Sequence, residues 1–128
     1  MAISKSRGVI FDTNVWIALL HEADSQYRKA QELVRTLATE EVLVPEYVLV
    51  EVSAVLKRYE RNAEAIVFVK RVLGNAGSFI PAGVLAHETS VLFEERNDKL
   101  SFVDTALLVL SREYRVITFD KALARALP

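Results

Sequence analysis

Three carboxylic acids occur where predicted helices or strands begin or end, and a fourth lies within a predicted helix. Asp12 directly follows a short apolar run, and Asp120 follows another after one intervening residue. Asp104 lies in the first turn of a predicted helix, whereas Glu51 borders the apolar stripe of another helix and faces partly inward. A carboxylate in such a position should be paired, protonated or bound to a cation. These four acids are therefore the candidates for the chemistry of the chain.

Bringing such acids together would favour a divalent cation. Like charges at close range repel, and one pKa must rise unless a cation neutralises them. Oxygen ligands favour Mg²⁺ or Mn²⁺ over softer metals, and the chain has no Cys to offer a thiolate. Two such ions can clamp the attacking and leaving oxygens of a phosphodiester. The predicted chemistry is metal-dependent hydrolysis that needs no protein nucleophile.

Each acid also has an ordinary structural interpretation. Asp12 and Asp120 are suited to cap the helices that follow them, and Ser101 with Asp104 fits the pattern of a capping box. Glu51 could pair with a lysine or an arginine. No acid alone predicts catalysis, so the prediction depends on all four occurring in order on one fold.

Short apolar segments alternate with helical patterns along the chain. Strands are predicted at residues 8–11, 42–44, 78–80 and 115–118, and helices at 15–20, 26–38, 46–59, 63–73, 84–96, 101–114 and 121–127. This alternation predicts a three-layer α/β/α domain with a mostly parallel sheet of about four to five strands. Ligands bind beyond the carboxyl ends of the strands in such folds, and Asp12 and Asp120 fall at that edge.

The composition predicts one soluble domain over residues 1–128. The length of 128 residues suits a single unit, and no apolar run approaches the roughly 20 residues of a membrane span. The lack of Cys and of a signal-peptide pattern favours a cytoplasmic protein. A net charge of −1 excludes a global basic field. The 52% share of hydrophobic residues indicates a surface for a partner, with surplus apolar residues at Val15, Trp16, Leu19, Leu20, Leu49 and Val50.

Four sequence blocks carry a resemblance to a known family. They are VIFDTN at 9–14, VPEYVLVE at 44–51, LSFVDTA at 100–106 and VITFDK at 116–121. In order and spacing they resemble the PIN-domain family and, within it, the toxin subunits of VapBC-type toxin–antitoxin modules. The resemblance spans nearly the whole chain, and each block contains one of the four acids.

The resemblance implies an endoribonuclease that uses Mg²⁺ or Mn²⁺ to hydrolyse single-stranded RNA. It also implies a cognate antitoxin and a homodimer. Asp12, Glu51 and Asp104 would hold the metal, and Asp120 would join them as a ligand or order the site. Neighbouring polar residues would hold the carboxylates or bound water, namely Thr13, Asn14, Ser101 and Thr118.

Basic residues close to the acids in sequence are candidates for phosphate contacts. They are Arg96, Lys99 and Lys121. The neighbouring acids Glu94, Glu95 and Asp98 are interpreted as a solvated run without a catalytic role. Trp16 and Phe119 are interpreted as core or interface residues rather than as platforms for base stacking.

Other functional classes remain open at this stage. The chain could be a PIN nuclease that processes RNA or DNA outside a toxin–antitoxin pair, or a phosphatase that uses the same carboxylate chemistry. It could also be a non-catalytic PIN-like module that binds a partner. A metal titration and a panel of substrates separate these classes.

Overall fold

The computed structural model describes residues 8–37 and 39–128. Four short strands form one parallel sheet in the order β3-β2-β1-β4. The strands are β1 (Val9–Phe11), β2 (Val42–Pro45), β3 (Phe79–Ile80) and β4 (Arg115–Ile117). Val9 of β1 pairs with Val42 of β2 on one side and with Arg115 of β4 on the other. Strands β1 and β4 therefore end side by side at one edge of the sheet.

Helices connect the parallel strands. In the part of the chain that the structure describes they are α1 (Thr13–Leu20), α2 (Tyr27–Thr36), α3 (Glu46–Arg58), α4 (Asn62–Leu73), α5 (Ala82–Glu95), α6 (Phe102–Leu110) and α7 (Lys121–Ala126), with a short 3₁₀ helix at Ala76–Ser78. None of these helices has the length and apolarity that a membrane span requires. The predicted parallel α/β architecture is confirmed.

Two hydrophobic clusters form the core. Ile10 belongs to the larger cluster, whereas its neighbours Val9 and Phe11 belong to the smaller one. This division follows from the strand geometry, because successive side chains point to opposite faces of a sheet. Burial on both faces explains why β1 is apolar throughout.

Several boundaries differ from the sequence-based prediction. Helix α1 begins two residues earlier than predicted, because Asp12 caps it through the backbone N–H of Thr13. Helix α6 ends at Leu110 rather than at Tyr114, because the chain turns before it enters β4. Strand β2 ends at Pro45, one residue later than predicted, and α3 begins at Glu46 as predicted. The predicted end of α2 at residue 38 lies outside the described residues.

The apolar residues expected to be surplus are only partly so. Val15 and Leu49 are buried, Trp16, Leu19 and Leu20 are partly buried, and Val50 is exposed. Leu49 packs in the larger cluster and Val15 in the smaller one. The expectation of surplus apolar surface was therefore wrong for these two residues. The exposed apolar surface lies on other helices as well, at Ile66 and Val67 of α4 and at Val84, Val91 and Phe93 of α5.

Candidate active site

Asp12 lies between β1 and α1 and is only 6% exposed. Its Oδ1 accepts a hydrogen bond of 2.7 Å from the backbone N–H of Thr13. Its Oδ2 accepts bonds from the Thr118 hydroxyl at 2.6 Å and from the Asn14 amide at 3.2 Å. The carboxylate is thus held in one orientation by three neutral donors.

The surroundings of Asp12 disfavour its negative charge. Burial raises the pKa of Asp12, and the hydrogen bonds from Thr118 and Thr13 offset that rise only in part. The charges of Asp104 and Glu51 raise the pKa of Asp12 further. Among the described residues no Lys, Arg or His forms an ion pair with Asp12. Protonation or a bound cation would relieve this conflict between burial and charge.

Thr118 and Asn14 join the ends of β1 and β4. Besides binding Asp12, the Thr118 hydroxyl accepts hydrogen bonds from the Asn14 amide at 3.3 Å and from the Asp120 backbone N–H at 3.0 Å. The side-chain oxygen of Asn14, Oδ1, accepts a hydrogen bond of 3.0 Å from the Phe119 backbone N–H. These contacts fix the loop after β4 against the start of α1, since the two strands end at the same edge of the sheet.

Glu51 is tied to the same edge by Thr13. The Thr13 hydroxyl donates a 2.7 Å hydrogen bond to Glu51 Oε1, which joins the first turn of α1 to the middle of α3. The backbone N–H of Thr13 binds Asp12 at the same time. One residue therefore positions two of the predicted acids.

Asp104 is half-buried and takes part in a capping box at the start of α6. Its Oδ2 accepts a hydrogen bond from the Ser101 backbone N–H at 3.2 Å, and its own N–H donates to the Ser101 hydroxyl at 3.0 Å. Its charge nonetheless reaches Asp12, because it contributes to the raised pKa of that residue. The structural and the electrostatic roles of Asp104 coexist.

Asp120 lies farther from this group. It is exposed, and its Oδ2 accepts a 2.8 Å hydrogen bond from the Leu123 backbone N–H as the cap of α7. Its connection to Asp12 runs through its backbone N–H and the Thr118 hydroxyl. The structure thus brings Glu51 and Asp104 within electrostatic reach of Asp12 and leaves Asp120 at the rim.

The sequence model of the PIN domain family matches residues 9–126. The chain belongs to the PIN-domain family. The matched residues contain all four acids and every described strand of the sheet.

A solved structure shares the fold of this PIN domain. It is that of VapC20 from Mycobacterium tuberculosis, described as a Sarcin-Ricin loop cleaving toxin. The match has a TM-score of 0.74 at 20% sequence identity and covers 93% of this chain and 95% of that one. The likeness establishes a common fold. A comparison with curated proteins finds no match.

The acids of this PIN domain offer the oxygen ligands that a hard cation prefers, but their side chains are not grouped around one point. Within residues 8–37 and 39–128, no three Asp, Glu or His side chains are grouped closely enough to hold an ion. The donor chemistry still fits Mg²⁺ or Mn²⁺, because the set is oxygen-only and includes a buried anion without a basic partner. Binding one ion together would require these carboxylates to come closer to one another.

The basic side chains near the acids differ in their availability. Arg96 Nε donates a 2.7 Å hydrogen bond to Asp98, which lowers the pKa of Asp98 and occupies Arg96. Lys99 and Lys121 are exposed and form no ion pair with a described residue. These two therefore remain the better candidates for phosphate contacts.

Lys29 lies near the site, although no sequence pattern predicted it there. Its Nζ lies 4.5 Å from the centroid of the Phe119 ring, and Phe119 stands between Thr118 and Asp120. The ring packs against the smaller core cluster, as expected for a core residue. No local pattern could reveal this contact, because the two residues are distant in sequence and meet only through the sheet.

Proposed function

We propose that this PIN domain is a metal-dependent endoribonuclease that cleaves single-stranded RNA and acts as the toxin of a toxin–antitoxin pair. The observation that carries the proposal is the Asp12 carboxylate, which is buried, has no basic partner among residues 8–37 and 39–128, and is subject to the charges of Glu51 and Asp104. The match to the PIN domain family and the fold shared with the VapC20 toxin support this class of activity.

In this proposal the metal is Mg²⁺ or Mn²⁺, held by Asp12, Glu51 and Asp104. When bound, such an ion lowers the pKa of water and stabilises negative charge on phosphate oxygens. Thr118 and Asn14 keep the Asp12 carboxylate oriented, while Thr13 holds Glu51. Asp120 acts as a fourth ligand or orders the loop after β4 through its bond to Thr118, which binds Asp12.

The surface also supports a protein partner. An apolar cavity of about 480 Å³ opens between α1, β2 and α4. Its walls include Trp16, Leu20, Val67, Phe68 and Val72. We propose that an amphipathic segment of the antitoxin binds there, since such helices commonly lie in apolar grooves. We further propose that the protein is a cytoplasmic homodimer.

One observation favours a second candidate function. No three acids of the described residues are grouped closely enough to hold an ion. This arrangement is compatible with a non-catalytic module that binds a partner. Such a module would keep the apolar cavity and would have no use for the metal.

A metal titration combined with a substrate panel tests the proposal. Single-stranded RNA, duplex DNA and a phosphomonoester are incubated with the protein at increasing Mg²⁺ or Mn²⁺. The proposal predicts cleavage of the RNA alone, with a rate that rises with metal and is abolished by EDTA. Cleavage of duplex DNA or of the phosphomonoester would assign another hydrolase activity. Metal binding without any cleavage would favour the non-catalytic module.

A further inference from the structure

Three aromatic side chains form a row across the starts of α3 and α6 and the end of α5. The ring centroids of Tyr47 and Phe102 are 5.8 Å apart with an interplanar angle of 88°. Those of Phe102 and Phe93 are 5.5 Å apart at 65°. Both are edge-to-face contacts, which are favoured between aromatic rings. We call Tyr47, Phe102 and Phe93 the aromatic row.

Packing of the core does not account for the outer part of this row. Tyr47 contacts the larger core cluster, but Phe93 and Phe102 belong to neither cluster as the described residues define them. Phe93 is 46% exposed, and Phe102 is half-buried. The row is therefore anchored at Tyr47 and presents ring surface to solvent at its other end.

The row begins beside the candidate active site. Tyr47 precedes Glu51 by one turn of α3, so the two residues share a face of that helix. Phe102 is the first residue of α6, and it connects to this face of α3 through its contact with Tyr47. Tyr47 is therefore the member of the row that α3 ties to the acids, and Phe93 is the most exposed member.

We propose that the aromatic row stacks nucleobases of a single-stranded RNA next to the bond that is cleaved, an inference that rests on the proposed function. Unpaired bases stack on aromatic side chains whatever their sequence, because every base has a π-face. A row that starts at the carboxylates suits a strand whose phosphate lies at the acids and whose neighbouring bases project to one side.

The charges around the row constrain how the strand would lie. Lys99 is exposed in the loop that connects Phe93 to Phe102, and it suits a phosphate. Glu94 and Glu95 follow Phe93 on α5 and would repel phosphates. The bases would therefore face the rings, with the backbone on the side of Lys99. A second copy of this chain is the alternative occupant. If the row were a dimer contact, the protein would bind RNA with bases and abasic RNA equally well.

The test compares binding of a short single-stranded RNA with binding of the same ribose-phosphate chain carrying abasic positions. Affinity is measured by fluorescence anisotropy in EDTA, which prevents cleavage. We expect the wild-type protein to prefer the RNA with bases by at least about fivefold, the lower end of measured stacking contributions. Phe93→Leu and Phe102→Leu should remove most of this preference, and in Mg²⁺ they should raise KM with little change in kcat.

Tyr59→Leu is the matched control. Tyr59 is 51% exposed at the far end of α3, where it stacks on His21 with a centroid distance of 4.9 Å. Its loss should leave the preference for bases unchanged. Thermal melting of each variant shows that it is folded, and Phe93→Leu should melt close to the wild type because the side chain lies outside the core.

The outcomes separate this inference from the proposed function. A wild-type protein that binds and cleaves RNA, with Phe93→Leu and Phe102→Leu both unaffected, would overturn the inference alone. A change from dimer to monomer in these variants, by sedimentation, would assign the row to a second copy and overturn the inference. A wild-type protein that prefers bases but does not cleave would overturn the proposed function alone. One that binds neither RNA would overturn both.

Discussion

Asp12 is the residue at which burial and charge conflict most strongly. Its hydrogen bonds from Thr118 and Thr13 favour the ionised form, yet burial and the charges of Asp104 and Glu51 raise its pKa above the ordinary value of 3.8. The folded state therefore binds the proton of Asp12 more tightly than the unfolded state does. The stability that Asp12 contributes is present below pH 3.8 and is lost as the pH rises through the folded-state pKa.

The first prediction follows from this conflict. In EDTA at neutral pH, Asp12→Asn should melt at or above the wild-type temperature, because the substitution removes a buried negative charge. Addition of Mn²⁺ should raise the melting temperature of the wild type and have much less effect on the variant. Asp24→Asn, a turn substitution away from the acids, should respond to metal as the wild type does. An equal metal-induced shift in wild type and Asp12→Asn would show that Asp12 is not a ligand.

The second prediction concerns Thr13 as a positioning residue. Thr13→Val keeps the shape of the side chain and removes the hydroxyl that donates to Glu51. Substitutions of residues that orient metal ligands cost about 10- to 100-fold in metal affinity or activity, so the rate of RNA cleavage should fall by at least about tenfold. Thr13→Ser, which keeps the hydroxyl, should restore most of the rate.

Thr36→Val is the control for the second prediction. The Thr36 hydroxyl donates a hydrogen bond to the Leu33 backbone carbonyl on an exposed face of α2. Its cleavage rate and its requirement for Mn²⁺ should match those of the wild type. If Thr13→Val keeps both as well, the contact between Thr13 and Glu51 has no part in the site.

At the scale of residues, local sequence supports more than one interpretation of the same acid. Asp12, Asp104 and Asp120 were considered either as helix caps or as site residues, and the structure shows that all three do cap helices. The two roles are compatible because helices that follow parallel strands begin at the edge where ligands bind. What local sequence could not predict were contacts between distant elements, such as Thr13 with Glu51 or Lys29 with Phe119.

At the scale of elements, every described strand and α-helix was predicted, with boundaries that differ by a few residues, whereas the short 3₁₀ helix at Ala76–Ser78 was not. Hydrophobic runs and caps are local signals, so they are visible in the sequence. The strand order β3-β2-β1-β4 is not local. It places β4 directly against β1 and so brings Thr118 to Asp12, a contact that the prediction of a parallel sheet left undetermined.

The third prediction concerns the contact between α2 and the segment after β4. Lys29 is exposed beside Phe119, where its charge can meet a phosphate near the acids. If Lys29→Gln removes one such contact, the slope of log affinity against log salt for single-stranded RNA should become shallower by about 0.7. Lys70→Gln, at the exposed end of α4, should keep the wild-type slope. Anisotropy titrations in EDTA at several salt concentrations measure this, and equal slopes for wild type and Lys29→Gln would contradict the role.

At the scale of the whole molecule, apolar surface remains uncovered. The cavity between α1, β2 and α4 has mostly apolar walls, and Val67 on its rim is 49% exposed. Exposed apolar surface of this kind commonly marks an interface on a small protein. The composition indicated the surplus, but only the fold shows that it is concentrated on particular helices.

The fourth prediction places the antitoxin in that cavity. Val67→Glu should abolish inhibition of RNA cleavage by the antitoxin and leave the uninhibited rate unchanged, because a charge in an apolar groove is costly to bury. Val91→Glu, at a similarly exposed position on α5, should remain inhibited. Full inhibition of Val67→Glu would place the antitoxin elsewhere.

Inhibition of the wild type should also weaken as Mg²⁺ is raised if a basic side chain of the antitoxin competes with the metal at the acids.

The fifth prediction is that the chain forms a homodimer. Sedimentation or light scattering of the wild type should give the mass of two chains, since exposed apolar residues on α4 and α5 offer surface beyond the cavity. A monomer at high micromolar concentration would contradict it. The catalytic proposal does not depend on this result.

The most direct test of the central claim is the rate of Mg²⁺-dependent RNA cleavage by three single variants, Asp12→Asn, Glu51→Gln and Asp104→Asn. Each replaces a carboxylate by a neutral group of nearly the same shape. Each variant should abolish cleavage while circular dichroism shows an intact fold. If any two of the three cleave RNA at the wild-type rate, these acids do not form the active site.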